Sequence, residues 1–268
     1  MALTRRQRGR ALQAGLYVLA AALVVLLLFT MKWDAIAANF FLTEGFTGTW
    51  ETMVLTAAKN TILYTLAAFT GGFVLAVVLV LMKLAPAAPF RWFATAYIEL
   101  FRGLPALLVI LFMGFGIPIA TGWTPPGGTV GAGLVGLMLV AGAYMAETLR
   151  AGIQAVPNGQ VEAARSLGMT PAQTMASVTF PQALRIVVPP LTNELVILIK
   201  DTSLLFVLGF MTHQKELTTA ARDFMNAGPS AGTSTSLVFA ALLYLAITLP
   251  LTQVVAWLER RQNRRSTR

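Results

Sequence analysis

The chain has 268 residues, of which 56% are hydrophobic and 12% are charged, and its formal net charge is +9. A soluble domain is nearer one quarter charged. This composition therefore excludes a disordered chain, argues against a soluble enzyme and indicates a protein with several membrane-spanning helices. Because the chain has no cysteine and one histidine, His213, it also excludes disulfides, thiol chemistry and metal sites that need several such ligands. We expect neither a metal nor a cofactor.

Six apolar segments are long enough to cross a bilayer, whose hydrocarbon core of about 30 Å requires roughly 20 helical residues. In chain order, these predicted spans are residues 11–31, 60–82, 92–119, 131–149, 186–210 and 237–258. The turn-forming sequence of residues 121–128 separates the third span from the fourth. The pattern predicts an all-α, polytopic membrane bundle of about six transmembrane helices.

Basic residues at both ends of the chain set the predicted orientation. Arginine is concentrated before the first span and after the last one, at positions 5, 6, 8, 10, 260, 261, 264, 265 and 268. Six spans place both ends on one side of the membrane, and the excess of positive charge assigns that side to the cytoplasm. A cleaved signal peptide is the alternative for the first span. An apolar run of roughly 20 residues is long for a signal, which favours a retained helix.

The longest predicted cytoplasmic segment, residues 156–190, has the pattern of a helical hairpin. Its first helix is expected to begin near Asn158, and Gly168 is well placed to end it. Residues 170–173 have the sequence Thr-Pro-Ala-Gln, which is typical of a capping box with proline at the first helical position. Pro181 is expected to end this second helix.

Three interpretations of the hairpin compete. It is either a structural element on the membrane surface, a helix-turn-helix that binds DNA, or a contact for a partner protein. The spacing of residues 163–170 fits a helix-turn-helix. However, the hairpin has few basic residues for DNA phosphates, and adjacent spans tie down both of its ends.

The third interpretation depends on a resemblance. The hairpin resembles the EAA motif of the membrane subunits of bacterial ABC importers. The matching residues are Glu162, Ala163, Ala164, Gly168 and Pro181. The sequence departs from the motif at Phe180, where leucine is usual. The resemblance implies that these five residues couple the chain to a separate ATPase subunit.

Three further segments resemble the polar amino-acid branch of these permeases. They are residues 97–105, 144–153 and 198–204. The resemblance implies a type I importer transmembrane domain over residues 49–261, with the EAA-like loop at 158–181. Residues 1–48 would add a cytoplasmic tail, an extra transmembrane helix and an outer segment, and residues 262–268 a basic cytoplasmic tail.

The resemblance implies a permease of the bacterial inner membrane that imports a polar amino acid. An extracytoplasmic binding protein would deliver the substrate, and the permease would pair with a second copy of itself or with a sister permease. Hydrolysis of ATP would occur in the ATPase subunit. In agreement, the chain lacks the G-x-x-x-x-G-K-[ST] phosphate-binding pattern. The chain itself is then not an enzyme, and nucleic acid is not an expected partner.

The fifth predicted span contains charged residues at membrane depth, where each costs roughly 2.5–3.5 kcal/mol. Glu194 and Asp201 are seven residues apart and therefore share one helix face. Asn193 and Lys200 share the adjacent face by the same spacing. Two hypotheses remain open. Either this strip faces the translocation pathway or a partner permease, or its charges form intramembrane ion pairs that fix helix packing.

Two other charge pairs lie near the predicted inner surface. Glu99 and Arg102 are three residues apart, as are Glu147 and Arg150, so each pair can meet on one helix face. They serve either as ion pairs at the membrane surface or as part of an inner gate.

Two further functions stay open on the sequence alone. One is a self-contained secondary transporter, although such folds usually show broken helices in matching halves, which this sequence lacks. The other is a membrane-anchored regulatory protein that binds DNA through the hairpin.

Overall fold

The computed structural model describes residues 5–266, and every regular element in that part of the chain is a helix. This confirms the predicted all-α fold. The helices are α1 (Arg5–Thr30), α2 (Trp33–Phe40), α3 (Thr43–Glu51), α4 (Ala58–Leu84), α5 (Ala88–Gly103), α6 (Ala106–Leu111), α7 (Ile117–Thr121), α8 (Gly128–Gln154), α9 (Asn158–Ser166), α10 (Pro171–Thr174), α11 (Phe180–Asp201), α12 (Leu217–Asn226) and α13 (Thr235–Ser266). The outermost parts of the two basic tails, residues 1–4 and 267–268, lie outside the described residues.

Within residues 5–266, four helical stretches are long and apolar enough to cross a membrane. They are Leu12–Thr30, Trp33–Leu84, Gly128–Gln154 and Thr235–Gln262. The bent pair formed by Ala88–Gly103 and Ala106–Thr121 provides a fifth crossing if it counts as one span. Helix α11, the predicted fifth span, is a 22-residue helix but is less apolar because of its polar residues.

The predicted third span, residues 92–119, is not one helix. Helix α5 ends at Gly103, α6 begins at Ala106, and the two are bent by 105° at this break. Leu104 and Pro105 have extended backbone, with ψ of 140° and 129°. Proline lacks the N–H that would continue the helix, and it forces the preceding residue out of the helical region. The bend was not predicted because the residues that follow Arg102 are uncharged and apolar and therefore resemble one continuous span.

The main core lies where α4, α5, α8 and α11 meet. Its largest fully buried side chains include those of Leu79, Ile98 and Met145. Helices α4 and α8 approach closely because Gly72 faces α8, where an added Cβ would lie 3.1 Å from the Cβ of Ala141. Small residues are common at helix contacts in membranes. The hydrophobic effect contributes little to association there, because lipid is as apolar as the side chains, and close van der Waals packing takes its place.

A second apolar cluster joins the segment before α4 to the last two helices. Met53 and Leu217 are fully buried in it, and the ring of Phe239 packs on Phe46 and Trp50 with centroids 5.4 and 5.7 Å apart. Helices α2 and α3 therefore pack against the beginning of α13, where Thr235 donates to the carbonyl of Asn39 at 3.3 Å.

The hairpin between α8 and α11 follows its local sequence signals. Helix α9 ends at Gly168, whose φ of +85° lies in the left-handed region that favours glycine. The N–H of Met169 donates to the carbonyl of Ala164 at 3.2 Å, and that of Gly168 to Arg165 at 3.0 Å. These two bonds define a Schellman end. The predicted capping box is also formed, since Thr170 and Gln173 exchange hydrogen bonds of 2.8 and 3.3 Å.

The prediction that Pro181 ends the second helix is wrong. Helix α10 continues through a π-helical turn, Met175–Thr179, directly into α11, which contains Pro181. In the turn the hydrogen bonds are shifted by one residue, so that the N–H of Phe180 donates to the carbonyl of Met175. Proline is tolerated immediately after this turn, at the start of α11, because its missing N–H falls where the regular bonding is already interrupted.

Candidate functional site

A cavity of about 360 Å³ lies between the α5–α6 corner, α8 and α11. The corner contributes Leu104 and Pro105, α8 contributes Tyr144, and α11 contributes Glu194 and Asp201. The remaining lining is apolar. Two carboxylates and one phenol in an apolar wall form the kind of site that orients a small polar ligand.

The polar strip of α11 divides into two faces, as the seven-residue spacing predicted. Glu194 and Asp201 line the cavity, and both are partly exposed. Asn193 and Lys200 are exposed on the adjacent face, outside the cavity lining. Among the described residues, Lys200 makes no ion pair within 4.0 Å. The cavity is therefore acidic, and the lysine faces away from the main core of its own chain.

Arg102 packs on α8 rather than on Glu99. Its guanidinium lies 5.7 Å from the ring centroid of Tyr144, whose hydroxyl donates to the carbonyl of Arg102 at 3.3 Å. Glu99 is exposed, and in residues 5–266 it forms no ion pair within 4.0 Å with Arg102.

The second predicted pair, Glu147 with Arg150, does form. The arginine Nε donates to Oε2 of Glu147 at 3.0 Å, and Lys83 Nζ on α4 lies 3.7 Å from the same oxygen. Arg150 also donates to Gln154 at 2.6 Å. The C-terminal part of α8 is thus tied to α4 by an ion pair.

The EAA-like residues lie on or beside the hairpin surface. Glu162, Ala163 and Gly168 are exposed, whereas Ala164 is only 5% exposed and packs inward. Pro181 is exposed on α11. The structure therefore leaves Glu162 and its neighbour available to another protein, while Ala164 supports the hairpin from within.

A buried carboxylate, that of Glu216, was not predicted from the sequence. It caps α12 by accepting hydrogen bonds from the backbone N–H groups of Thr218 and Thr219 at 2.6 and 2.7 Å, and from the Tyr244 hydroxyl at 3.0 Å. Burial raises the pKa of Glu216, although the bonds from Thr219, Thr218 and Tyr244 oppose this shift. A glutamate directly before Leu-Thr-Thr was the only available signal.

The loop that contains His213 is held through its backbone carbonyls. Asn60 donates from its side chain to the carbonyls of His213 and Lys215 at 2.9 and 3.0 Å. The His213 side chain is exposed, as expected for a solvated histidine. Among the described residues, no cluster of three or more acidic or histidine side chains has the arrangement of a metal site.

Comparison with known proteins connects this architecture to transport. A family model described as binding-protein-dependent transport system inner membrane component matches residues 68–264. The chain is 38% identical over 214 residues to the probable glutamine ABC transporter permease protein GlnM of Bacillus subtilis, covering 78% of this chain and 93% of the relative. It is 33% identical to the glutamate/aspartate import permease protein GltK of Escherichia coli O157:H7, covering 75% of this chain and 89% of the relative.

Other similar proteins agree on the architecture. The arginine transport system permease protein ArtQ of Bacillus subtilis is 33% identical, covering 71% of this chain and 83% of the relative. A crystal structure of an amino acid ABC transporter with histidines superposes with a TM-score of 0.68 at 35% identity, covering 75% of this chain and 90% of that one. The inward-facing MetNI methionine transporter, at 21% identity, shares the fold with a TM-score of 0.58 over 77% of this chain and 96% of that one.

Proposed function

Because the chain belongs to the family of binding-protein-dependent transport system inner membrane components, we propose that it is the membrane-spanning permease of an ATP-driven importer for a polar amino acid. The match over residues 68–264, which includes the whole hairpin, is the observation that carries this function. Relatives named for glutamine, glutamate/aspartate and arginine transport support the substrate class. The family description and the several apolar helices support a multi-pass protein of the bacterial inner membrane. The basic residues at both ends of the chain support an orientation with both termini inside.

The cavity is the proposed passage for the amino acid. An amino acid carries an ammonium group, and Glu194 and Asp201 present two carboxylates to the cavity. Buried charge interactions are strong in an apolar wall, where water does not screen them. These two residues would therefore orient the substrate through its ammonium group, and Tyr144 adds a hydroxyl to the same wall.

A second permease subunit covers the exposed face of α11 in this proposal. Lys200 and Asn193 are exposed at membrane depth, and a lysine in lipid costs roughly 2.5–3.5 kcal/mol. A second copy or a sister permease, with water between the two, removes this cost. The same arrangement places Lys200 beside the route of the substrate.

The hairpin is the proposed contact for the ATPase. Glu162 and Ala163 are exposed on a short helix whose end is fixed by Gly168. Small side chains such as that of Ala163 allow a partner to approach closely, and a carboxylate can pair with a basic residue of the ATPase. Movement of the ATPase would reach the cavity directly because α10 runs without interruption into α11.

The decisive experiment is reconstituted uptake. The chain is purified from its native membrane with the proteins that accompany it, and proteoliposomes are supplied with ATP and the binding protein. Uptake of radiolabelled L-glutamine, L-glutamate and L-arginine is compared with uptake of L-leucine. We expect ATP-dependent uptake of at least one polar amino acid and none of leucine. Uptake driven by an ion gradient without ATP would overturn the proposal, and recovery of one permease chain alone would indicate a homodimer.

The orientation has its own test. The chain has no cysteine, so single substitutions at Gln160 and Pro126 are clean probes. An impermeant maleimide should label residue 126 from outside and residue 160 only from the cytoplasmic side. Labelling of residue 160 from outside would reverse the topology.

A further inference from the structure

Two contacts join the corner between α5 and α6 to α8, and both are made by Tyr144. The first point is a hydrogen bond to the main chain. Because α5 ends at Gly103, the carbonyl of Arg102 lies in its last turn, where helical carbonyls lose their N–H partners. The Tyr144 hydroxyl donates to this carbonyl at 3.3 Å.

The second point uses the side chain of the same arginine. Its guanidinium lies over the Tyr144 ring, 5.7 Å from the centroid, which is a distance typical of cation–π attraction. Within residues 5–266, Arg102 has no carboxylate within 4.0 Å. Tyr144 therefore contacts both the backbone and the guanidinium of Arg102. Arg102 itself does not line the cavity.

These two contacts fix the width of the cavity on one side. Leu104, Pro105 and Ala106 form the corner wall, and Tyr144 belongs to the facing α8 wall. A movement of the corner away from α8 would therefore widen the cavity. We infer that Arg102 is a positioning residue for substrate passage, which acts through Tyr144 to set the distance between these two walls. This inference rests on the proposed role of the cavity as the passage.

The chain offers a matched control in Tyr97. Its hydroxyl donates to the carbonyl of Leu139 at 3.0 Å, so it also links α5 to α8 by one bond from a tyrosine to the backbone. Tyr97 does not line the cavity. Loss of this bond weakens the same helix pair without releasing the corner.

Transport kinetics separate the two tyrosines. In proteoliposomes that contain the complete transporter, Tyr144→Phe should raise the KM for the amino acid taken up fastest by the wild type. The rise should be roughly threefold to tenfold, the loss expected for one hydrogen bond. The maximal rate of ATP hydrolysis should stay within about twofold in Arg102→Gln, because Arg102 does not line the cavity. Tyr97→Phe should lower Tm and leave KM unchanged. An unchanged KM in Tyr144→Phe, or an equal rise in both variants, overturns the inference.

The arginine is tested in the same assay. Arg102→Gln should raise KM as Tyr144→Phe does. Because Arg102→Gln removes the cation–π contact and Tyr144→Phe removes the hydrogen bond, the double variant should raise KM more than either single variant. Arg102→Lys keeps a cation over the ring and should recover part of the loss. An unchanged KM in Arg102→Gln, or a double variant no worse than Tyr144→Phe alone, would show that the guanidinium does not help to position the corner.

A measurement without substrate distinguishes failure of this inference from failure of the proposed function. A single cysteine at Ala106, in an otherwise cysteine-free chain, reports access to the corner wall. Its rate of reaction with a small maleimide should rise severalfold in Tyr144→Phe and Arg102→Gln but not in Tyr97→Phe. Equal rates in all three variants would contradict the positioning role even if no amino acid were transported.

Discussion

The coupling hairpin and the acidic cavity carry the proposed function, and they are built in opposite ways. The hairpin, residues 158–181, takes its shape from neighbouring residues, such as the Schellman end at Gly168 and the capping box that begins at Thr170. The side chains proposed to contact the ATPase, those of Glu162 and Ala163, are exposed. The cavity takes its shape from three segments that are distant in sequence, and its carboxylates are partly buried in an apolar wall.

This difference decides what a substitution does in each region. In the hairpin, a change to an exposed residue alters contact with a partner and has little effect on the fold of the chain itself. In the cavity and its surroundings, burial of polar groups costs free energy of folding. The groups that transport requires therefore lower the stability of the protein. A substitution that removes charge there should lower transport without lowering stability.

The largest expected effect is in the hairpin. Glu162→Lys reverses an exposed charge, and like charges that meet at an interface cost several kcal/mol. We expect uptake to fall by at least about a hundredfold, together with loss of the ATPase on co-purification. Membrane insertion and Tm of the isolated permease should not change.

Gln160→Lys is the matched control for this variant. It adds the same charge to an exposed position two residues earlier on α9, which points to a different side of the helix. Gln160→Lys should retain most of the ATPase. Equal losses in both variants would indicate a general effect of positive charge, and full ATPase recruitment by Glu162→Lys would refute the coupling role.

In the membrane, Lys200→Met should have the opposite signature. It removes an exposed intramembrane charge that lacks an ion pair in the described part of the chain, so Tm of the permease should hold or rise. Uptake should fall by roughly tenfold if the lysine lies beside the passage. Lys59→Met, at an exposed site near the beginning of α4, is the control and should leave both uptake and Tm unchanged.

Loss of stability in Lys200→Met would mean instead that the lysine serves a structural pair. If that pair is with a carboxylate of a second permease, the double variant with Asp201→Asn should restore Tm and the assembled dimer. Recovery of Tm in the double variant would therefore show that Lys200 serves this structural pair rather than the passage.

Local signals made the hairpin predictable, whereas the cavity required the tertiary structure. The capping box and Gly168 could be placed from the letters alone because their bonds close within a few residues. Seven-residue spacing likewise placed Glu194 and Asp201 on one face. The bend at Pro105 was missed because an uninterrupted apolar run hid it, and so the contribution of Tyr144 to the facing wall was missed as well.

Pro181 shows the limit of local reasoning even within the hairpin. Proline commonly ends a helix, but the preceding π-helical turn provides a position where its missing N–H does little harm. A shift of one residue in the hydrogen bonding leaves no clear mark in the sequence. The resulting continuity between hairpin and cavity is what the proposed coupling requires.

In a third region, the buried carboxylate of Glu216 caps α12 and so combines a local hydrogen-bonding role with burial. Glu216→Gln replaces one acceptor oxygen by an NH₂ group that faces other donors, which should cost about 1–3 kcal/mol. Burial raises the pKa of Glu216, so the folded state binds its proton more readily than the unfolded state. Stability from this group is therefore greatest below the unfolded value of about 4.5 and falls as the pH rises through the raised pKa.

Melting curves between acid and neutral pH check this sign. The excess of Tm of the wild type over Glu216→Gln should shrink as the pH rises above about 4.5. Glu259→Gln, at an exposed carboxylate of α13, should show no such trend. An excess that grows with pH would mean that the hydrogen bonds to the carboxylate outweigh its burial.

The smallest expected effect returns to the hairpin and compares two of its glycines. Gly168 has a φ of +85°, and an added Cβ would meet no neighbour within 4 Å, so Gly168→Ala tests backbone strain alone. A left-handed conformation costs an L-residue roughly 1–2 kcal/mol.

Gly159 lies in equally open space within α9 but without a positive φ. Gly159→Ala should therefore be neutral or favour the helix. We expect Gly168→Ala to reduce uptake severalfold and to lower Tm by no more than a few degrees, because the strain falls on an exposed turn that the proposed ATPase contact includes. If both alanine variants transport equally well, the turn at Gly168 is not part of the coupling contact.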